Sequence, residues 1–87
     1  MINQKRICEI GAIYLWEATE EIWKCVEHGV DDFGHFTYTF DKYSTHWKEW
    51  KPEKGHFYQD EFESKLYSEI LRKFSAGEAA KFMLSVI

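Results

Sequence analysis

The six residues HFTYTF at positions 35–40 decide the fold, because aromatic side chains alternate strictly with more polar ones. A period of two residues is typical of a β-strand that buries one face. Phe36, Tyr38 and Phe40 would lie on the buried face, with the histidine and the two threonines on the other. This stretch therefore predicts a strand that packs against the helices of the chain.

The residues that follow predict further strands joined by turns. Residues 41–44 are predicted to form a turn. Residues 45–51 are predicted to form either a second, antiparallel strand or a short helix capped by Ser44. The segment PEKG at positions 52–55 is typical of a turn. Proline fixes the φ angle that a turn requires, and glycine gives the backbone freedom where the chain leaves the turn. A third short strand at 56–58 completes a hairpin or a three-stranded meander.

The N-terminal part of the chain predicts a long amphipathic helix from about residue 3 to residue 28. Apolar residues recur there at helical spacing, glutamates fall roughly opposite them, and Gly29 follows as a C-terminal stop. Trp16 and Trp23 are seven residues apart, so they would stand on one line of this helix.

The C-terminal part predicts two shorter helices. Asp60 and Glu63 resemble a capping box, and apolar residues recur every four positions after it, which places the first helix over about 61–74. Ser75 and Glu78 form a second such box, which opens the second helix. The expected fold is α+β: a long N-terminal helix, an antiparallel hairpin or three-stranded meander, and two C-terminal helices on one core. Residues 1–87 form a single compact domain.

Composition limits the class of protein. The chain has 87 residues, of which 45% are hydrophobic and 18% aromatic, and this content excludes a disordered protein. The longest apolar stretch, residues 10–16, is far shorter than the roughly 20 residues that a membrane span requires. No small-residue cleavage site follows it. We therefore expect a cytoplasmic protein that makes no membrane contact.

The net charge of −4 is unevenly distributed. Seven acidic residues between Glu9 and Asp32 face Lys24 alone, which gives this segment a net charge of −6, whereas residues 33–56 carry +1. An acidic face of this kind favours a basic partner through electrostatic complementarity.

The two cysteines would be far apart in the predicted helix. Cys8 and Cys25 are 17 positions apart, which at the rise of a helix places them about 25 Å from each other. A disulfide requires Cα atoms within about 7 Å. We therefore expect two reduced, buried thiols that cannot pair within one molecule.

The sequence contains no nucleophile elbow, phosphate-binding glycine loop or paired-histidine metal motif. Cys25, His28 and His35 could approach one another, but their spacing matches no zinc motif. We expect no catalytic activity, no cofactor and no metal.

These features predict a small acidic module that binds another protein stoichiometrically, in the manner of inhibitors, immunity proteins and phage-encoded or bacterial accessory antagonists. Tryptophans supply many interface hot spots, and acidic residues steer association. The expected anchors are Trp16, Trp23, Trp47 and Trp50, and the expected steering charges are Glu17, Glu20, Glu21, Glu27, Asp31 and Asp32.

Two other functions stay open. Segment 42–56 interleaves lysines with tyrosine and tryptophan, a mixture that binds single-stranded nucleic acid, although its small positive charge argues against this partner. Its lysines are Lys42, Lys48, Lys51 and Lys54. A homo-oligomeric structural protein would instead bury Ile10, Ile13 and the tryptophans of the first helix between copies.

Overall fold

A computed structural model describes residues 5–53 and 55–85, which form a six-stranded antiparallel sheet and two short helices. The elements are β1 (Ile13–Trp16), β2 (Glu21–Val30), β3 (Phe36–Ser44), β4 (Glu49–Pro52), β5 (Phe57–Tyr58), α1 (Gln59–Tyr67), β6 (Leu71–Lys73) and α2 (Ala76–Ser85). The strand order is β4-β3-β2-β1-β6, and β5 also pairs with β3.

The prediction of a long N-terminal helix is wrong, because residues 13–30 form the β1–β2 hairpin; its predicted start at residue 3 lies outside the described residues. The pairing runs from Ile13 opposite Lys24 to Trp16 opposite Glu21, and Glu20 closes the turn at a φ of 58°. Ile13 and Tyr14 are both buried although they point to opposite faces of the sheet. A strand covered on both faces reads as a continuous apolar run, which also fits helical spacing.

The strand predicted at 35–40 is present as part of β3, but β3 continues to Ser44, so the turn predicted at 41–44 is wrong. The chain turns at 45–48 instead, where Lys48 has a φ of 54°. Lys42 is paired with Trp23 of β2 on one side and with Lys51 of β4 on the other. Ladder hydrogen bonds on both edges outweigh the local turn propensity of this segment.

The first C-terminal helix ends earlier than predicted. Helix α1 stops at Tyr67, and Glu69 follows at a φ of 60°, which an α-helix cannot accommodate. Residues 71–73, predicted as helix, are strand β6 and pair with β1 at the edge of the sheet. The chain therefore turns at Glu69, and the residues predicted as the last turn of the helix form an edge strand instead.

The two helices cover opposite faces of the sheet. Phe62 of α1 lies 4.9 Å from Tyr14 and 5.5 Å from Phe40, ring centre to ring centre. Phe82 of α2 lies 5.3 Å from the ring of Tyr43. Because Phe40 and Tyr43 are three residues apart in one strand, their side chains lie on opposite faces. Helix α1 packs on the first face, and α2 contacts the second through Phe82.

The hairpin also brings the two cysteines together. Gly11 N–H donates to the carbonyl of Cys25 at 2.7 Å, and Cys25 N–H donates to the carbonyl of Ala12 at 3.0 Å. Both cysteines are fully buried and belong to the same core cluster. The predicted separation of about 25 Å is therefore wrong, since it assumed helical rise across residues that fold back as strands.

Candidate protein-binding surface

The β2–β3 turn is held in one conformation by the carboxylate of Asp31. Its Oδ1 accepts hydrogen bonds from Phe33 N–H at 2.9 Å and His35 N–H at 2.8 Å, and its Oδ2 lies 3.2 Å from His35 Nδ1. Gly34 occupies a φ of +83°, which suits glycine at this point of the turn. The backbone N–H groups of His35 and Phe33 lower the pKa of Asp31. The turn is therefore an ordered Asx-type structure.

This turn displays Phe33 to solvent, with 85% of its surface exposed. A groove of about 330 Å³ lies beside it, between the turn and the start of α1. Its lining residues are Asp31, Phe33, His35, Phe36, Tyr58, Gln59 and Asp60. We call residues 31–35 together with 58–60 the Phe33 end of the molecule.

The Phe33 end combines aromatic walls with acidic groups. The His35 ring lies 6.3 Å from both the Phe33 ring and the Tyr58 ring. The carboxyl groups of Asp31 and Asp60 line the same groove, and Asp32 is exposed next to Phe33. Aromatic faces and carboxylates together suit a cationic side chain, through cation–π attraction and charge-assisted hydrogen bonds.

Residues 5–12, which we call the N-terminal strap, support the back of this groove. Arg6 places its guanidinium 4.2 Å from the centre of the Phe36 ring and donates to the carbonyl of Gly29 at 2.9 Å. Gln59 at the start of α1 donates through Nε2 to the carbonyl of Lys5 at 3.1 Å. The strap thus connects β2, β3 and α1 at this end.

The opposite end of the sheet carries the β3–β4 turn, residues 45–48, and the β1–β2 turn, residues 17–20, which together we call the Trp47 end. Trp47 is 65% exposed there, and Lys51 Nζ lies 5.4 Å from its ring centre. A groove of about 400 Å³ adjoins Trp47. The nine residues of β3 separate the two ends by about 30 Å.

The predicted tryptophan anchors divide by environment. Trp16 and Trp23 are partly buried on the face under α1, where their rings lie 5.1 Å apart and both contact Phe57. They are neighbours across the β1–β2 hairpin, not along a helix. Trp50 is partly buried and packs against Tyr43 and Phe82. Trp47 alone among the four is exposed.

The predicted steering charges do not share one face, because the helix that would have aligned them is absent. Glu17 and Glu20 lie in the β1–β2 turn, and Glu21 starts β2. Glu17 bonds to Arg72 at 3.0 Å, and Glu21 bonds to Lys42 at 3.2 Å. Glu27 is exposed within β2.

Asp31 and Asp32 lie at the other end of the sheet, so the structure brings only these two of the six acids to the Phe33 end.

The lysine segment does not form a continuous basic strip. Lys51 pairs with Glu49 at 2.9 Å, and Lys42 pairs with Glu21. Lys48 is exposed in the turn, and Lys54 lies outside the described residues. The charges that the nucleic-acid hypothesis requires are thus partly neutralised by neighbouring glutamates.

Within residues 5–53 and 55–85, no three histidine, cysteine, aspartate or glutamate side chains converge in a way that could hold a metal ion. His28 Nε2 lies 2.8 Å from the carbonyl of Cys8, and His35 is engaged with Asp31. Across the same described ranges, no helix has the length and apolar content to span a bilayer.

Sequence reasoning missed four residues of the Phe33 end: Phe33, His35, Tyr58 and Asp60. The sequence DDFG at 31–34 does contain a usable pattern, since an aspartate two positions before an aromatic and three before a glycine favours an Asx turn. The contribution of Tyr58 and Asp60 depends on how α1 docks, which local sequence does not encode.

No family model, no curated protein and no solved structure matches this chain.

Proposed function

We propose that this protein is a stoichiometric binding module that places its Phe33 end on a basic surface of another protein. The observation that carries the proposal is the 85% exposure of Phe33 on a turn whose backbone Asp31 already orders. By covering that surface, the module would act as an inhibitor or antagonist of its partner, without chemistry of its own.

An exposed phenylalanine on a rigid turn favours binding for two physical reasons. Burying a phenylalanine side chain in a partner's pocket contributes roughly 1.5–3 kcal/mol. Ordering a loop on binding costs free energy, and a turn that is ordered beforehand avoids most of that cost. Phe33 therefore has the features of an interface hot spot at the centre of a charged rim.

The charge of the Phe33 end selects the partner. Asp31, Asp32 and Asp60 surround the aromatic residues, and the Arg6 guanidinium is turned inward against Phe36 and Gly29. Such a surface attracts lysine and arginine side chains and disfavours acidic surfaces. A basic protein surface with an apolar pocket is the complement.

We place this action in the cytoplasm. Cys8 and Cys25 are both free in the structure, which is the usual state of cysteines in a reducing compartment, where any disulfide between them would be transient.

Site-specific photocrosslinking tests the proposal. A photoreactive phenylalanine analogue is placed at position 33, and matched variants carry it at position 47 or at position 67, where Tyr67 is 90% exposed on α1. Each variant is irradiated in lysate of the source organism. We expect one discrete adduct from position 33 that disappears with Asp32→Lys and weakens at high salt, and none from positions 47 and 67.

Three results would contradict the proposal. An adduct that forms from position 47 and not from 33 would move the interface to the Trp47 end. A position-33 adduct that survives Asp32→Lys unchanged would remove the electrostatic argument. An adduct that contains only two copies of this chain would favour the homo-oligomeric function instead.

Nucleic-acid binding at the Trp47 end is a second candidate, supported by the exposure of Trp47 next to Lys48 and Lys51. A labelled single-stranded oligonucleotide, titrated at two salt concentrations against wild type and Trp47→Ala, tests it. Binding that falls with salt and with loss of the ring would support this candidate, and no binding at low salt would remove it.

A further inference from the structure

The N-terminal strap holds Cys8 against strand β2. Hydrogen bonds tie the strap to β2 on both sides of this residue: Arg6 donates to Gly29, and Gly11 donates to Cys25 at 2.7 Å. His28 Nε2 lies 2.8 Å from the carbonyl of Cys8 itself. The backbone around Cys8 is therefore fixed next to the strand that carries Cys25.

The two thiols meet in the core, where both residues have 0% exposed surface. Both belong to one buried core cluster, in which each thiol is the largest influence on the pKa of the other. The buried hydroxyl of Tyr14 has no good hydrogen-bond partner among the described residues, and its polar neighbour is the Cys8 thiol. No carboxylate or lysine within this cluster would be displaced if the two sulfurs bonded to each other.

We infer that Cys8 and Cys25 are a thiol modification site that a disulfide of the glutathione class oxidises reversibly to an intramolecular disulfide. The inference stands on the strap and the core and does not depend on the proposed binding function.

The chemistry balances with one glutathione disulfide per protein. The thiolate of one cysteine attacks a sulfur of glutathione disulfide, which forms a mixed disulfide and releases one glutathione thiolate. The second cysteine then attacks the protein sulfur of that mixed disulfide and releases the other glutathione. The two thiol protons pass to the two released glutathione thiolates, the protein loses two electrons, and the glutathione disulfide gains them.

The two thiols titrate as an interacting pair, since each is the largest influence on the pKa of the other. The overall reaction is the same whichever cysteine attacks first. Because both thiols are fully buried, the oxidant would reach them before the chain has folded or when the hydrogen bonds between the strap and β2 break transiently.

The disulfide would staple the strap to β2. It would close a loop from residue 8 to residue 25 and prevent the strap from leaving the sheet. Closing the loop between positions 8 and 25 constrains the unfolded chain strongly, so the oxidised protein should unfold at a temperature on the order of 10 °C higher.

Redox equilibration in glutathione buffers tests the inference and does not depend on access to the buried thiols. The protein is refolded from denaturant in a series of ratios of reduced to oxidised glutathione, free thiols are alkylated, and the fraction with the mass loss of about 2 Da of a disulfide is measured. A parallel series is kept in concentrated guanidinium. Linkage predicts that the Cys8–Cys25 disulfide is about 100-fold more favoured in the native chain than in the unfolded chain.

Cys8→Ser and Cys25→Ser are the matched controls, and neither should form the intramolecular bond or gain thermal stability in oxidised glutathione. The inference is overturned if the disulfide is no more favoured in the native chain than in guanidinium, because the fold would then not hold the sulfurs in a bonding arrangement. It is also overturned if oxidation of the native chain gives only intermolecular dimers.

Discussion

Phe33 and Trp47 stand at opposite ends of β3, and both project from turns into solvent. Phe33 is 85% exposed and Trp47 is 65% exposed. Trp47 shares its surroundings with other side chains, since its ring lies 4.8 Å from the His46 ring and beneath Lys51. Phe33 stands further from its neighbours, with the His35 ring at 6.3 Å.

The two ends also differ in how their charges are used. In the turns of the Trp47 end, Glu17 is paired with Arg72, while Glu20 and Lys48 have no ion pair among the described residues. Lys42 and Lys51, in the strands next to these turns, are paired with Glu21 and Glu49. At the Phe33 end, the ion pair among the described residues is Asp31 with His35, and Asp32 and Asp60 remain available to a partner. An exposed aromatic residue is thus a stronger indication of an interface when the charges around it are not already neutralised within the chain.

The largest effect should come from the core that supports both ends. Phe62 is 1% exposed and packs on Tyr14, Tyr38 and Phe40, so Phe62→Ala should reduce the free energy of unfolding by about 3–5 kcal/mol. Urea unfolding followed by tryptophan fluorescence measures it. Tyr67→Ala on the same helix is the control and should change stability by no more than about 0.5 kcal/mol. Equal losses in the two variants would contradict the assigned core.

The next largest effect is a difference between the Phe33 end and the Trp47 end in their contribution to partner affinity. Once a partner is isolated by capture on the unmodified chain, Phe33→Ala should weaken binding by about 2 kcal/mol, or roughly 30-fold, while Trp47→Ala should change it by less than about twofold. Isothermal titration calorimetry measures both, and neither variant should alter thermal stability, because both side chains are exposed. The reverse ranking would assign the interface to the Trp47 end.

A smaller effect distinguishes two neighbouring tryptophans. Trp50 packs against Tyr43 at 5.3 Å and Phe82 at 6.0 Å, so Trp50→Ala should destabilise the protein by about 1–2 kcal/mol. Trp47 lies in the β3–β4 turn and is exposed, so Trp47→Ala should lower the free energy of unfolding by no more than about 0.5 kcal/mol. Chemical denaturation compares them, and a larger loss for Trp47 would show that α2 does not pack on Trp50.

The smallest effect concerns the pH response of the Phe33 turn. The pKa of Asp31 is lower in the folded state because His35 N–H and Phe33 N–H donate to its carboxylate. The resulting stabilisation is present above the pKa of aspartate in the unfolded chain and is lost as the pH falls through the lower, folded value.

The amide chemical shifts of Phe33 and His35 should therefore stay constant through the range where an ordinary aspartate titrates, about pH 3.9, and change only below it. Two-dimensional NMR spectra recorded against pH measure this. Asp31→Asn should remove the transition, and a titration at the ordinary aspartate value would show that the carboxylate does not hold the turn.

Part of this fold could be predicted because the hydrophobic pattern of residues 35–40 fits a strand and does not fit a helix. The alternation at 35–40 has no helical interpretation, and β3 contains residues 36–40 of it. The second capping box also forms, with Ser75 N–H bonded to Glu78 Oε1 and Glu78 N–H bonded to Ser75 Oγ. The box predicted at Asp60 and Glu63 is wrong: α1 begins at Gln59, where Tyr58 N–H donates to Glu61 Oε1 at 3.2 Å.

Residues 13–30 could not be assigned in this way. Most side chains of β1 and β2 are buried or half-buried, on both faces of the sheet. A run that is apolar at most positions fits a helix as well as a strand. The wrong helix prediction also led to wrong positions for the acidic residues and the cysteines. A helix would have placed the acidic residues on one face, whereas the hairpin divides them between the two ends of the sheet. A helix would have separated the two cysteines, whereas the hairpin brings them into one core cluster. Asp31 and Asp32 were predicted as binding residues, but Phe33 was not, because an aromatic residue in a turn has no periodic pattern.

Hydroxyl-radical footprinting of the complex tests the central claim most directly, since Phe33, Trp47 and Tyr67 are exposed probes already present in the chain. The rate of side-chain oxidation is measured by mass spectrometry for the free protein and for the protein bound to its captured partner. If the Phe33 end is the interface, oxidation of Phe33 should fall several-fold in the complex while Trp47 and Tyr67 keep their free rates. Protection of Trp47 with an unchanged rate at Phe33 would contradict the account.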